Sequence, residues 1–158
     1  MYRMRLWSVS KSRLMEACYD RFEHALVKVA PILGAFGFER FERPVAALEK
    51  VLKGVLFDCK MCGQCVLGST GMSCPMNCPK TLRNGPCGGV RADGNCEVKP
   101  QMRCVWVEAA RGAARMRRDG LHTVQFAVDM RLKGRSSWLQ VARGHSDAQP
   151  EKIVGPST

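Results

Sequence analysis

CKMCGQC, residues 59–65, sets three thiols three positions apart, and CPMNCP (74–79), NGPCGG (84–89), GNCE (94–97) and RCVW (103–106) follow it. The full spacing is Cys59-x2-Cys62-x2-Cys65-x8-Cys74-x3-Cys78-x8-Cys87-x8-Cys96-x7-Cys104. Across 59–104 no apolar periodicity survives, and Gly, Pro and Asn interrupt any long helix or strand. So long an irregular stretch within a compact domain needs something other than an oily core to organise it. Metal held by thiolates does this, because its binding energy is also folding energy.

The spacing bears on which metal. Zinc sites pair two CxxC knuckles on one tetrahedral ion, and no second CxxC follows the first group here. A C-x2-C-x2-C run is what a four-iron cube uses, and bacterial ferredoxins join such a run to C-x3-C-P. Both halves are present, CKMCGQC and CPMNCP, with eight residues between them, so the match is partial. Eight thiols divide evenly into two [4Fe–4S] sites. One cluster plus zinc, or structural zinc alone, remain the alternatives. Cys59, Cys62 and Cys65 are expected to share one site, while its fourth ligand stays open. Gly63, Gly85, Gly88 and Gly89 are expected to let backbone amides approach sulfur. Pro75 and Pro79 block helix after Cys74 and Cys78.

On the N-terminal side, residues 1–58 read as helical. In SRLMEACYDRFEHALVKVAP (12–31), Leu14, Cys18, Phe22 and Leu26 repeat every four positions, and Pro31 is expected to stop that helix. Cys18 is read as a small buried hydrophobe on this stripe. A second helix is expected to start at Pro44, with Val45, Leu48, Val51, Leu52 and Val55 facing the core, and to deliver the chain into Cys59. On the C-terminal side, residues 105–120 predict a helix with Val105, Ala109, Ala113 and Met116 inside and Gly120 as its stop. Arg115, Arg117 and Arg118 suit its C-terminal end, as a solvated face or a docking patch. SSWLQVARG (136–144) predicts a short final helix capped by Ser136 or Ser137. The expected division is a helical segment 1–58, a cysteine-rich region 59–104, a helical segment 105–145 packed on it, and a flexible tail 146–158. The fold class predicted is mainly α with a large irregular metal-organised loop region, ferredoxin-like in ligand spacing.

A chain of 158 residues suits one domain with its own core. No apolar run reaches the ~20 residues that cross a bilayer, and the basic N-terminus lacks an apolar stretch with a cleavage site. A cytoplasmic protein is expected, where dense cysteines hold metal rather than each other. Lys and Arg outnumber Asp and Glu 25 to 14, a net charge of +11, which calls for an anionic partner. A zinc-dependent nucleic-acid module would satisfy that charge, but Trp and Tyr are not interleaved with a basic stripe, and nucleic acid is not the expected partner. No GxGxxG or P-loop occurs, and His24, His122 and His145 lie scattered without a local nucleophile. No catalytic residue is assigned.

The string CGQCVLGSTGMSCPMNCPKTLRNGPCGGV (62–90), then GNCEV (94–98) and CVW (104–106), resembles the cysteine-rich C-terminal domain associated with methylenetetrahydrofolate reductase. LKGRSSWLQ (132–140) resembles a segment near the end of that family, so the similarity covers about residues 55–140. In some bacteria this domain is a separate small subunit. The resemblance implies a partner, a catalytic barrel subunit carrying FMN or FAD that reduces methylenetetrahydrofolate to methyltetrahydrofolate. It also implies that Cys59, Cys62, Cys65, Cys74, Cys78, Cys87, Cys96 and Cys104 are candidate ligands of clusters feeding that flavin. Zinc is the family's other described metal, and a further electron-donor subunit would fit beside both chains. A (β/α)8 barrel of ~250 residues does not fit in this chain, so the expected role is electron transfer rather than catalysis.

Overall fold

The fold is a computed structural model that describes residues 2–117, 121 and 128–147. Its helices are α1 (Tyr2–Ser10), α2 (Ser12–Phe36), α3 (Phe38–Phe57), α4 (Val105–Ala113) and α5 (Ser137–Asp147). No strand forms among the described residues, so the chain is mainly helical as expected. Between α3 and α4 the backbone is irregular, with a 3₁₀ turn at Pro75–Asn77 and two isolated antiparallel bridges, Val90 to Cys96 and Asn95 to Arg103.

Neither proline punctuates the chain where the pattern placed it. α2 runs through Pro31 to Phe36, and α3 begins before Pro44. The break is Gly37, at φ 84, a left-handed conformation that glycine adopts without a Cβ clash. The turns ahead of Pro44 are anchored by tertiary ion pairs that local propensity cannot see. Arg143 reaches Glu39 at 3.0 Å and Glu42 at 2.9 Å, and Arg135 reaches Glu39 at 3.0 Å.

The expected core face of α3 is also reversed. Leu48, Val51, Leu52 and Val55 are 47–64% exposed, while Glu49, Lys53 and Phe57 are buried. α1 and α5 pack on that polar side, and the buried ends of Glu49 and Lys53 both find partners there. Glu49 accepts from Ser136 Oγ at 2.6 Å and from Ser137 Oγ, and Lys53 donates to Glu49 at 2.7 Å and to Ser137 Oγ at 2.8 Å. Hydrogen-bond complementarity thus outweighs the hydrophobic stripe. α2 behaves similarly, burying Ser12, Glu16 and Ala30 and leaving Leu14 and Phe22 outward. Cys18 is therefore exposed, a correction to its reading as a buried hydrophobe.

α4 stops at Ala113, shorter than the helix predicted to Gly120. Arg115 N and Met116 N bond back to Gly112 and Ala113 in a closing turn, and Arg117 N donates to Glu16 at 2.8 Å. Residues 118–120 lie outside the described residues, as does the predicted tail 146–158 from 148 onward, while its first two residues, Ser146 and Asp147, belong to α5. Arg115 Nη1 bonds the Arg111 carbonyl at 2.7 Å. α5 begins after Ser136, whose Oγ accepts from Leu139 N at 3.3 Å, so Ser136 is the cap anticipated there.

Gly71 and Gly112 bring the cysteine region against α4. A Cβ on either would overlap the other's backbone or that of Ala109, and Ser12 Oγ donates to the Gly112 carbonyl at 2.8 Å from the start of α2. Small apolar clusters complete the interior: Phe57 with Leu67 and Met72, Cys96 with Met102 and Val105, and Cys104 with Trp106 and Ala109. Trp106 is buried and donates to the Leu82 carbonyl at 3.1 Å, which ties the 79–83 segment to α4.

Candidate metal centre

α3 ends at Asp58, in the left-handed region at φ 52, and Met61 follows at φ 49. Each such non-glycine residue costs about 1–2 kcal/mol, so strain brackets Cys59 on both sides. The 129–134 turn holds this loop in place. Gly134 N donates to the Met61 carbonyl at 2.7 Å, and Asp129 N donates to Gln64 Oε1 at 2.9 Å. At Gly63, φ 76, a Cβ would overlap the Leu132 carbonyl. Gly63 thus permits close packing against Leu132.

Cys59, Cys62, Cys65 and Cys74 line one cavity, with Lys53 and Arg83 in its wall. The fourth member of the first group is therefore Cys74, a choice that spacing left open. Donors surround the sulfurs. Met61 N lies 3.3 Å from Cys59 Sγ, Arg83 Nη1 lies 3.5 Å from Cys62 Sγ, and Arg83 Nη2 binds the Gln64 carbonyl at 2.6 Å. Arg83 is buried, so its charge is aimed at this loop rather than at water.

Burial sets the protonation of these thiols. It pushes Cys74 up to about 12, against the opposing Met76 amide. It also raises Cys59, with the Met61 amide and Lys53 pulling the other way. Burial alone would lower Lys53, but Cys65 and Glu49 hold it above its ordinary value. Burial alone would raise Glu49, yet Lys53 and the Ser136 and Ser137 hydroxyls hold it below. Burial thus favours the protonated form of Cys59 and Cys74 beside a fixed cation, and a metal held by these two has to displace those protons.

The second group gathers farther along. Cys78 packs on Cys96 beside Met102, Cys96 N donates to Met102 O at 2.9 Å, and Cys104 N donates to Gly94 O at 3.0 Å. Cys87 is exposed and accepts from Gly89 N at 3.3 Å, as the glycine pattern anticipated. Lys80 pairs with Glu97, and that pairing, with Cys87 nearby, holds the lysine above its ordinary value.

All nine cysteines are free thiols. Among the described residues, no three of His, Cys, Asp and Glu converge on a point that would hold one ion. Thiolates on one tetrahedral zinc lie within about 4 Å of each other, given Zn–S of about 2.3 Å. The Cys59 group lines a shared cavity, and four thiols are a donor set that either a tetrahedral zinc or an iron–sulfur cluster takes. The open space in this cavity is about 20 Å³, room for one water.

Spacing alone missed Lys53, Glu49 and the Ser136–Ser137 pair beneath the thiols. The available signal was Glu49 and Lys53 at i, i+4 on the helix leading into Cys59, a pattern that ordinarily marks a solvated face. Trp138 joins this network, with Lys53 Nζ 5.1 Å from its ring centre and Phe22 stacked at 4.8 Å. His24 bonds the Asp20 carbonyl at 2.6 Å, within its own helix. His122 lies outside the described residues. Among the described residues, no helix is long and apolar enough to cross a membrane.

A sequence-family model, Methylene-tetrahydrofolate reductase C terminal, matches residues 38–131. The match starts at the first residue of α3 and takes in all eight clustered cysteines. No curated protein and no solved structure matches the chain.

Proposed function

Because the chain belongs to the methylene-tetrahydrofolate reductase C-terminal family, we propose that it is the iron–sulfur subunit of a methylenetetrahydrofolate reductase, passing electrons to a flavin held by a separate catalytic subunit. The observation that carries this reading is the convergence of Cys59, Cys62, Cys65 and Cys74 on one cavity walled by Lys53 and Arg83. A [4Fe–4S] cluster held there supplies one-electron storage at a potential set by charge, hydrogen bonds and exposure. Cys78, Cys87, Cys96 and Cys104 are the ligands of a second cluster in the same reading.

The chain's own residues tune and present that site. The Met61 amide and the Arg83 guanidinium point at Cys59 and Cys62 sulfur, where they favour added negative charge. Lys53, locked by Glu49 and Ser137, holds a positive charge against the thiol wall that it cannot swing away. The exposed stripe Leu48, Val51, Leu52 and Val55 is an unpartnered apolar face of the kind that marks an interface, and it borders the groove that reaches Cys65. We assign it to the catalytic subunit.

Protein purified without oxygen should be brown, contain about eight iron and eight sulfide per chain, and bleach on reduction. A colourless chain with stoichiometric zinc would replace electron transfer with a structural zinc role in the same reductase. Cys62→Ser should remove about half of the iron and leave the rest on the second group.

A further inference from the structure

α3 has three faces. One is buried, one carries the apolar stripe, and the third holds Arg43 and Lys50 across Ala46 and Ala47. On this third side an open groove of about 560 Å³ is ringed by Arg43, Lys50, Lys60 and Lys133 and opens beside Cys59. No carboxylate lines it among the described residues. Lys60 pairs with Asp58 at 2.7 Å, but Arg43, Lys50 and Lys133 have no ion-pair partner among the described residues. Several surface cations elsewhere are neutralised. Arg135 and Arg143 meet Glu39 and Glu42, Arg103 and Arg111 meet Glu108, and Arg131 meets Asp129. Arg13, Arg21 and Lys28 on α2 also lack an ion-pair partner among the described residues, but Arg43, Lys50 and Lys133 gather around one groove at the mouth of the Cys59 loop.

The shape of the groove narrows the ligand. Its floor is alanine and glycine, and no aromatic ring lines it to stack on a base. Arg43 and Lys50 sit seven positions apart, about 10 Å along the helix. That span suits a row of carboxylates better than a single phosphate. We propose that this groove docks the acidic surface of a one-electron carrier protein that reduces the Cys59 site.

The proposal rests on the electron-transfer reading above and adds the side from which electrons enter. The carrier is oxidised by one electron and the site beside Cys59 is reduced by one, with no bond made or broken. Small, charge-steered, transient contacts are the usual form of such encounters. The apolar stripe lies roughly a third of a turn around α3, so carrier and reductase occupy separate faces.

A fluorescent polyglutamate peptide, with polyglutamine as the neutral probe, tests the groove directly on the full chain. R43Q/K50Q/K133Q should bind polyglutamate about tenfold more weakly than wild type at low salt, the summed effect of exposed charge pairs. The charge-matched variant R13Q/R21Q/K28Q on α2 should stay near wild type. Equal losses in the two variants, or equal binding of polyglutamine, overturn the groove and leave only net charge. In stopped flow, reduction of the iron-loaded protein by an acidic ferredoxin should slow about tenfold in the groove variant. Reduction by cationic methyl viologen should not slow, and parallel slowing would point to damage at the site itself. If the chain proves to hold no cluster, electron transfer falls while the peptide arm still decides the groove.

Discussion

Lys53 and Ser137 stand 84 positions apart and are joined by a 2.8 Å hydrogen bond, with the Lys53 side chain only 6% exposed. Through this bond the C-terminal helix fixes the charge that faces the first thiol group. The same lysine pairs with Glu49 at 2.7 Å, and both ends of the pair are buried.

Lys53→Met leaves the Glu49 carboxylate buried without its cation, which costs about 3–5 kcal/mol. Urea denaturation should show that loss, and the double variant E49Q/K53M should recover part of it. Glu49 also sets an acid limb. Its folded pKa lies below the ordinary 4.5, so its contribution is present above that value and disappears as pH falls through the folded one. Urea midpoints in wild type should therefore drop on the acid side, and E49Q should flatten that drop.

Gly112→Ala forces a methyl into the Gly71 backbone, for which no flexible side chain can yield. A loss of about 1–3 kcal/mol or more is expected. Gly54→Ala, in the open on α3, should instead stabilise by about 0.5–1 kcal/mol, because the helix position is ordinary and only glycine's entropy is removed. Thermal melts of the pair separate crowding from a general intolerance of substitution.

Exposure ranks the thiols. Cys18, Cys65 and Cys87 are exposed and should be alkylated first in metal-free protein, with the buried Cys96 and Cys104, and Cys74, whose thiol is pushed up to about 12, reacting slowly. With clusters loaded, Cys18 alone should remain reactive. Mass spectrometry after timed alkylation reads both orders, and rapid alkylation of Cys96 or Cys104 would contradict their burial.

V51E/V55E places two charges on the apolar stripe, where both side chains already face water. Stability should change within about 0.5 kcal/mol, while co-purification with the catalytic subunit should be lost. Retention of the complex would move the reductase interface to another face.

Much of this protein was readable before any coordinates. The thiol spacing and the missing periodicity across 59–104 placed an irregular, non-helical middle between helical flanks, because Gly and Pro act within a few residues of themselves. The Ser136 cap is likewise a local hydrogen bond. What local rules could not supply was which face of α3 turns inward. Leu48, Val51, Leu52 and Val55 form a proper apolar stripe, yet α5 offers hydroxyls and α3 answers with Glu49 and Lys53. Pro44 fell inside a helix for the same reason, since Arg135 and Arg143 hold the turns ahead of it from a distance. Cysteine order announced a thiolate site; only folding chose Cys74 as the fourth wall and set Lys53 behind it, because that choice depends on segments meeting across the chain rather than along it.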